Sequence, residues 1–167
     1  MKRQLLIGTL LAAVPLLAAD AKSGTGAAAA FTELKKLVGT WEADTSMGKA
    51  RSTYELTAGG TVLVEREEIG GKHSMMTMIS VDGDRVVLTH YCMAGNQPRM
   101  AASGIGSKGE IAFRFLDATG LKSDKDGHMR NATFKMLDAD HFESNWQFFQ
   151  NGKPAEHEET FRYTRTK

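Results

Sequence analysis

The stretch Met75-Met76-Thr77-Met78-Ile79-Ser80-Val81-Asp82-Gly83-Asp84-Arg85-Val86-Val87-Leu88-Thr89-His90-Tyr91-Cys92 consists of two apolar-rich runs on either side of an Asp-Gly pair. Asp-Gly supplies the left-handed backbone that a two-residue hairpin turn needs, so the runs read as paired antiparallel strands. Pairing across that turn puts Met75, Thr77, Ile79 and Val81 on one face with Val86, Leu88, His90 and Cys92. Taking Gly83-Asp84 as the turn instead shifts the pairing by an even number, and the faces stay as they are. The other face carries Ser74, Ser80 and Thr89 beside Met76, Met78 and Tyr91, so the first set is expected to face the core.

The pattern repeats outward from this hairpin. Turn residues cluster at 46–48, 58–60, 70–71, 94–96, 106–109, 124–127, 138–140 and 151–152. With the Asp-Gly turn they cut everything after Gly39 into roughly ten short strands joined by short connections. Ahead of them Phe31, Leu34, Leu37 and Val38 recur at helical spacing, which predicts one short helix at about 30–37. The expected fold is all-β: a roughly ten-stranded antiparallel up-and-down barrel with one short N-terminal helix. Closing the sheet removes its exposed edges, which favours a barrel over an open sheet.

Other hairpins assign further faces. A two-residue turn at Asn151-Gly152 pairs Phe148 with Ala155, Trp146 with His157, Ser144 with Glu159 and Phe142 with Phe161. Glu143, Asn145 and Gln147 fill the opposite face, so Trp146, His157, Glu159 and Tyr163 are expected inside. A three-residue turn at Ala58 to Gly60 aligns Tyr54 and Leu56 with Val64 and Val62 and brings Arg66 inside as well. A loop from Ala94 to Gln97 sets Arg99 opposite Cys92, on the inner face. On the strand after Gly127, His128 and Arg130 share parity with Ala132, Phe134 and Met136.

The N-terminus reads as a secretory leader over 1–21: Lys2 and Arg3, an apolar run from Leu5 to Leu17, then Ala19-Asp20-Ala21 with cleavage after Ala21. The run is too short to span a membrane, and no stable membrane insertion is expected. Residues 22–30 read as a flexible lead and 31–167 as a single barrel domain. Cys92 is the only cysteine, so an internal disulfide is impossible and no lipid-attachment motif adjoins the leader. Formal charge is +1, and without Lys2, Arg3 and Asp20 the remainder is neutral. That balance offers nothing to nucleic acid. A periplasmic or secreted protein is the expectation.

Leu37-Val38-Gly39-Thr40-Trp41 places a Gly-x-Trp at the start of the first strand, directly after the short helix, and the chain closes on Phe161-Arg162-Tyr163-Thr164-Arg165. With the ten-strand meander, these features resemble the calycin superfamily: lipocalins, fatty-acid-binding proteins and the bacterial lipocalin-like and nitrobindin-like barrels. The resemblance implies that Trp41, preceded by Gly39, plugs the closed end of the barrel and packs against Arg162 or Arg165 from the last strand. Fatty-acid-binding members hold a carboxylate with Arg-x-Tyr, whereas here the order is Tyr163-x-Arg165. Nitrobindin-like members carry haem on an axial histidine, for which His90, His128 and His157 are the candidates.

Thr89 to Met100 gathers imidazole, phenol, thiol, carboxamide and guanidinium groups in one hairpin. An apolar lumen with a few convergent polar groups is the composition of a small-molecule pocket. The candidate ligand-binding residues are Tyr54, Arg66, His90, Cys92, Arg99, His128, Arg130, Trp146, His157, Glu159 and Tyr163. Cations outnumber carboxylates among them, which points to a small amphipathic or anionic ligand. His73, His90, Cys92, His128 and the many methionines are also a soft-metal inventory, though their spacing matches no metal signature and identifies no cofactor. A third reading is an isomerase or hydrolase using His90 or the His157 and Glu159 pair. The absence of a Gly-x-Ser-x-Gly, phosphate-loop or dinucleotide motif favours a binder over an enzyme.

Overall fold

The structure is a computed structural model that describes residues 26–156 and 158–166. The leader, its cleavage point and His157 lie outside the described residues. The first element is a helix, α1 (Ala27–Leu34), which runs on as a 3-10 turn over Lys35–Leu37. It begins inside the alanine run that was expected to be a flexible lead. Alanine is the strongest helix former, and Ala27 and Ala30 are buried together with Phe31 and Leu34.

The strands follow as β1 (Gly39–Thr45), β2 (Gly48–Thr57), β3 (Val62–Ile69), β4 (His73–Asp82), β5 (Arg85–Tyr91) and β6 (Gln97–Ala102). Then come β7 (Glu110–Thr119), β8 (His128–Met136), β9 (His141–Gln150), the two-residue β10 (Lys153–Pro154) and β11 (Glu159–Arg165). Each strand from β1 to β9 pairs antiparallel with the next, β9 pairs with β11, and β11 returns to β1. Leaving aside β10, which pairs only with β9, this is a closed ten-stranded up-and-down barrel. Such a barrel with one short helix fits a calycin-like fold.

The helix covers one end. Leu34 and Leu37 face Ile111, Phe134 and Met136 across a void of only about 10 Å³, so this end is packed shut. Trp41 is fully buried there and its indole N–H donates to the Leu37 carbonyl at 2.7 Å. The Arg165 guanidinium lies 3.9 Å from the centre of the Trp41 ring and donates to the carbonyls of Lys36, Val38 and Ala139. The stack combines a cation–π contact with a hydrogen bond from each of the three guanidinium nitrogens. Gly39 has φ +131, and a Cβ there would sit 2.7 Å from Arg165 Nη1, so a side chain at this position is excluded twice over. Arg162, the other candidate partner, is exposed and pairs with Glu143 at 2.9 Å.

Register settles which side chains enter the barrel. The Asp-Gly hairpin pairs Thr77 with His90, Ile79 with Leu88 and Val81 with Val86, and Thr77, Ile79, Leu88 and His90 are buried. Around Asn151-Gly152 the Ala155 N–H donates to the Phe148 carbonyl, yet Glu159 pairs with Trp146. Four residues on one strand therefore advance against two on the other. The slip is even, so Trp146, Glu159 and Tyr163 keep one face while their partners differ from those expected.

Two loops slip by odd numbers, and there the faces reverse. Thr57 pairs with Val62, so the β2–β3 loop has four residues, with Ala58, Gly59 and Gly60 all at positive φ. Tyr54 then meets Glu65, and Arg66 turns outward beside Glu55, its ion-pair partner. Cys92 and Asn96 close the β5–β6 loop through a 3.1 Å backbone bond, which sets Arg99 opposite Thr89 and outside. Its guanidinium grips Asp117 with two bonds of 2.7 and 2.6 Å on the exposed surface. Arg66 and Arg99 are thus corrected from lumen to exterior. Among the described residues no helix is long and apolar enough to cross a membrane.

Candidate functional site

Turning β3 over replaces an expected inner arginine with two inner carboxylates. Glu65 and Glu67 alternate with Leu63 and Ile69 on the buried face and are only 4% and 9% exposed. Each carboxyl has a tyrosine. Tyr54 Oη donates to Glu65 Oε1 at 2.5 Å, and Tyr163 Oη donates to Glu67 Oε1 at 2.5 Å. Ser52, wholly buried between them on β2, donates to Tyr163 Oη at 3.1 Å. Burial pushes both carboxyls above the ordinary range, Glu67 to about 8 with the charge of Glu65 adding to the effect. Hydrogen bonds from Tyr54, Thr77 and Ser52 pull Glu65 the other way, and those from Tyr163 and Ser52 do so for Glu67. The two phenols are held well above their usual range, first by burial and then by the adjacent carboxylates.

His90 continues the network from β5. Its Nδ1 lies 3.1 Å from Thr77 Oγ1, while Nε2 is buried with no hydrogen-bond partner among the described residues. The ring is 4.9 Å from that of Trp146. Burial drops the imidazole to about 4, so it is neutral at physiological pH. Glu67, His90 and Trp146 border one cavity of about 50 Å³. Met47, Met75 and Met129 line it too, with Ile69, Glu159 and Phe161. Met47 lies in the β1–β2 turn, at the end of the barrel opposite the helix. Glu159 is half-buried there and accepts a 3.3 Å bond from Ser46 Oγ.

The other candidates lie elsewhere. A bulge between Met129 and Asn131 brings Met129 to the cavity. Arg130 is wedged between the rings of Phe115 and Phe149, at 4.8 and 4.9 Å. His128 is buried beside the same two rings, and its Nδ1–H must donate to the Asp126 carbonyl 2.8 Å away, because a carbonyl only accepts. Cys92 is half-buried at the loop closure with its thiol pushed up by burial, which makes it a poor nucleophile at neutral pH. Asn96 of the same loop donates to the Gly127 carbonyl at 2.8 Å and ties two loops together.

The site therefore joins Tyr54, His90, Trp146, Glu159 and Tyr163 with residues the sequence reading missed, Ser52, Glu65, Glu67 and Met47, and with Thr77, Met75 and Met129, which it had placed on the core face or among the soft-metal donors. Arg66, Arg99, Arg130, His128 and Cys92 do not border the cavity. Its inner polar groups are acids, phenols and one neutral imidazole, and the expected excess of inner cations is absent among the described residues. A haem would not fit a void of about 50 Å³ without displacing Trp146 or the methionines. Comparison with models of known protein families gives no match, and no curated protein matches the sequence.

Proposed function

We propose that the protein is an exported, lipocalin-like binder that takes a small amphipathic molecule into the methionine-rimmed mouth of its barrel. The observation that carries this reading is the shared cavity: protonatable Glu67 and neutral His90 at an apolar wall formed by Trp146, Met75 and Met129. Apolar surface supplies affinity, and the two polar groups select a ligand that carries a hydroxyl or amine. An anionic head group loses its support, since Arg66 and Arg99 are outside and engaged. The leader read at 1–21 supports export and leaves the ligand unconstrained.

The resting cavity is small beside the roughly 300–1,000 Å³ of pockets that hold drug-sized ligands. Methionine has three rotatable bonds and yields readily, so the ligand is either a few atoms in size or enters by displacing the rim. The test is a thermal-shift screen of small alcohols, amines and short lipids, followed by tryptophan fluorescence. Binding that quenches the wild type and fails to do so in Trp146→Phe is the expected result. A panel without a single hit, or a ligand retained unchanged by Glu67→Gln and Trp146→Phe, would overturn the reading.

A further inference from the structure

We infer that this cavity is a binding site for a soft monovalent metal ion, Cu(I) in its chemistry, held by the thioethers of Met47, Met75 and Met129 and by His90 Nε2. The inference rests on the reading of the cavity as a ligand site and adds a second class of ligand to the amphipathic one.

Two strands and a turn that are far apart in sequence each send one methionine to the same small void. Thioether sulfur is a weak donor to hard divalent ions and a good one to Cu(I), so three such side chains lining one small void favour the soft ion. His90 supplies the fourth donor. It is 3% exposed, its Nδ1 is engaged by Thr77, and Nε2 has no partner among the described residues. A buried ring nitrogen with no partner is an unmet demand that a bound group would satisfy. When the Thr77 hydroxyl accepts from Nδ1–H, Nε2 is left as a bare lone pair suited to a metal.

Size and charge agree with this assignment. A void of about 50 Å³ has room for an ion without rebuilding the wall. Among the described residues no three His, Cys, Asp or Glu side chains converge to hold a metal, so a zinc-type site is not formed by them. Glu67 and Glu159 border the same void and offset a single positive charge.

The test uses the full chain, with Cu(I) presented in a bicinchoninate buffer and Ag(I) as a redox-inert probe in native mass spectrometry and methionine-methyl NMR. One ion per chain is expected, with shifts at the methyls of Met47, Met75 and Met129. The Met75→Leu/Met129→Leu variant keeps core volume and should lose roughly tenfold or more in affinity per ligand removed. Cys92→Ser should bind like the wild type. Failure to compete with bicinchoninate, undiminished binding in the double variant, loss in Cys92→Ser, or shifts confined to Met78 and Met93 would each overturn the inference. His90→Phe should also lose the ion; should it not fold, the methionine variants decide alone. An organic ligand that quenches Trp146 while neither ion binds would sink this inference and leave the broader reading standing.

Discussion

Tyr163 on the last strand donates to Glu67 on β3 across 96 positions of sequence, with Ser52 of the intervening strand joined to the same phenol. The bond fixes how the closing strand sits against the acidic strand, and it gives the buried carboxyl its strongest donor. Removing the hydroxyl in Tyr163→Phe leaves Glu67 with only the long 3.5 Å bond from Ser52. A loss of about 1–3 kcal/mol is expected in urea unfolding, with the acid titrating still higher because a bond favouring its charged form is gone.

Stability should follow pH in a two-part curve. Glu67 has a folded pKa of about 8, above the ordinary carboxyl value, so its protonated form favours folding, and that contribution is lost as pH rises through 8. His90, lowered to about 4, contributes oppositely: its share is present above about 6.5 and is lost as pH falls toward 4. Between 8 and 6.5 the imidazole contributes little change, and Tm should climb as pH drops. Below 6.5 the two effects offset and the curve should flatten, with Glu65 adding in the direction of Glu67. In Glu67→Gln the climb should vanish. Imidazole NMR gives an independent check, since His90 should stay neutral well below pH 6.

The β2–β3 loop makes a sharper prediction. Deleting Gly59 changes its count by one and would turn either Leu63 and Ile69 or their partners to solvent, so the variant should fail to fold cooperatively. Arg66→Ala and Arg99→Ala, by contrast, break exposed ion pairs and should leave Tm and any bound ligand nearly unchanged. A marked loss of binding in either arginine variant would contradict the assigned register.

At the closed end, Trp41→Ala should cost about 3–5 kcal/mol, as expected for emptying a fully buried indole site. Arg165→Lys keeps the charge but cannot reach three carbonyls with a planar fork, and about 1–3 kcal/mol should be lost. A thermal melt of the two variants against Arg162→Lys separates the stacked arginine from the exposed one.

These contrasts show what the sequence could convey. Asp82-Gly83 announces a turn of fixed length, and the faces of β4 and β5 follow from it. Ala58-Gly59-Gly60-Thr61 does not announce its length: a three-residue and a four-residue loop look alike on paper, and the difference of one reverses β3. On that strand both parities carry charges, Glu65 and Glu67 against Arg66 and Glu68, so composition does not break the tie. The apolar ends of one parity, Leu63 and Ile69, were the only local signal that the acids go inside. Carboxylates are rarely buried unless paired, and their tyrosine partners lie on other strands, beyond any local pattern. Met47 was equally hidden, in a turn, and the bulge that brings Met129 to the cavity has no local signature.

Arg165 clasps the segment leading out of the helix, and Thr166 N–H donates to the Thr40 carbonyl, while Gly26 lies beside Ser103 in the β6–β7 connection. Both ends of the described chain therefore leave from the plugged base of the barrel. A fusion partner, surface linker or immobilising tag attached at either end would sit behind the molecule, with Met47 and the cavity facing away from it. Sensors and pull-down supports can use either attachment without obstructing entry.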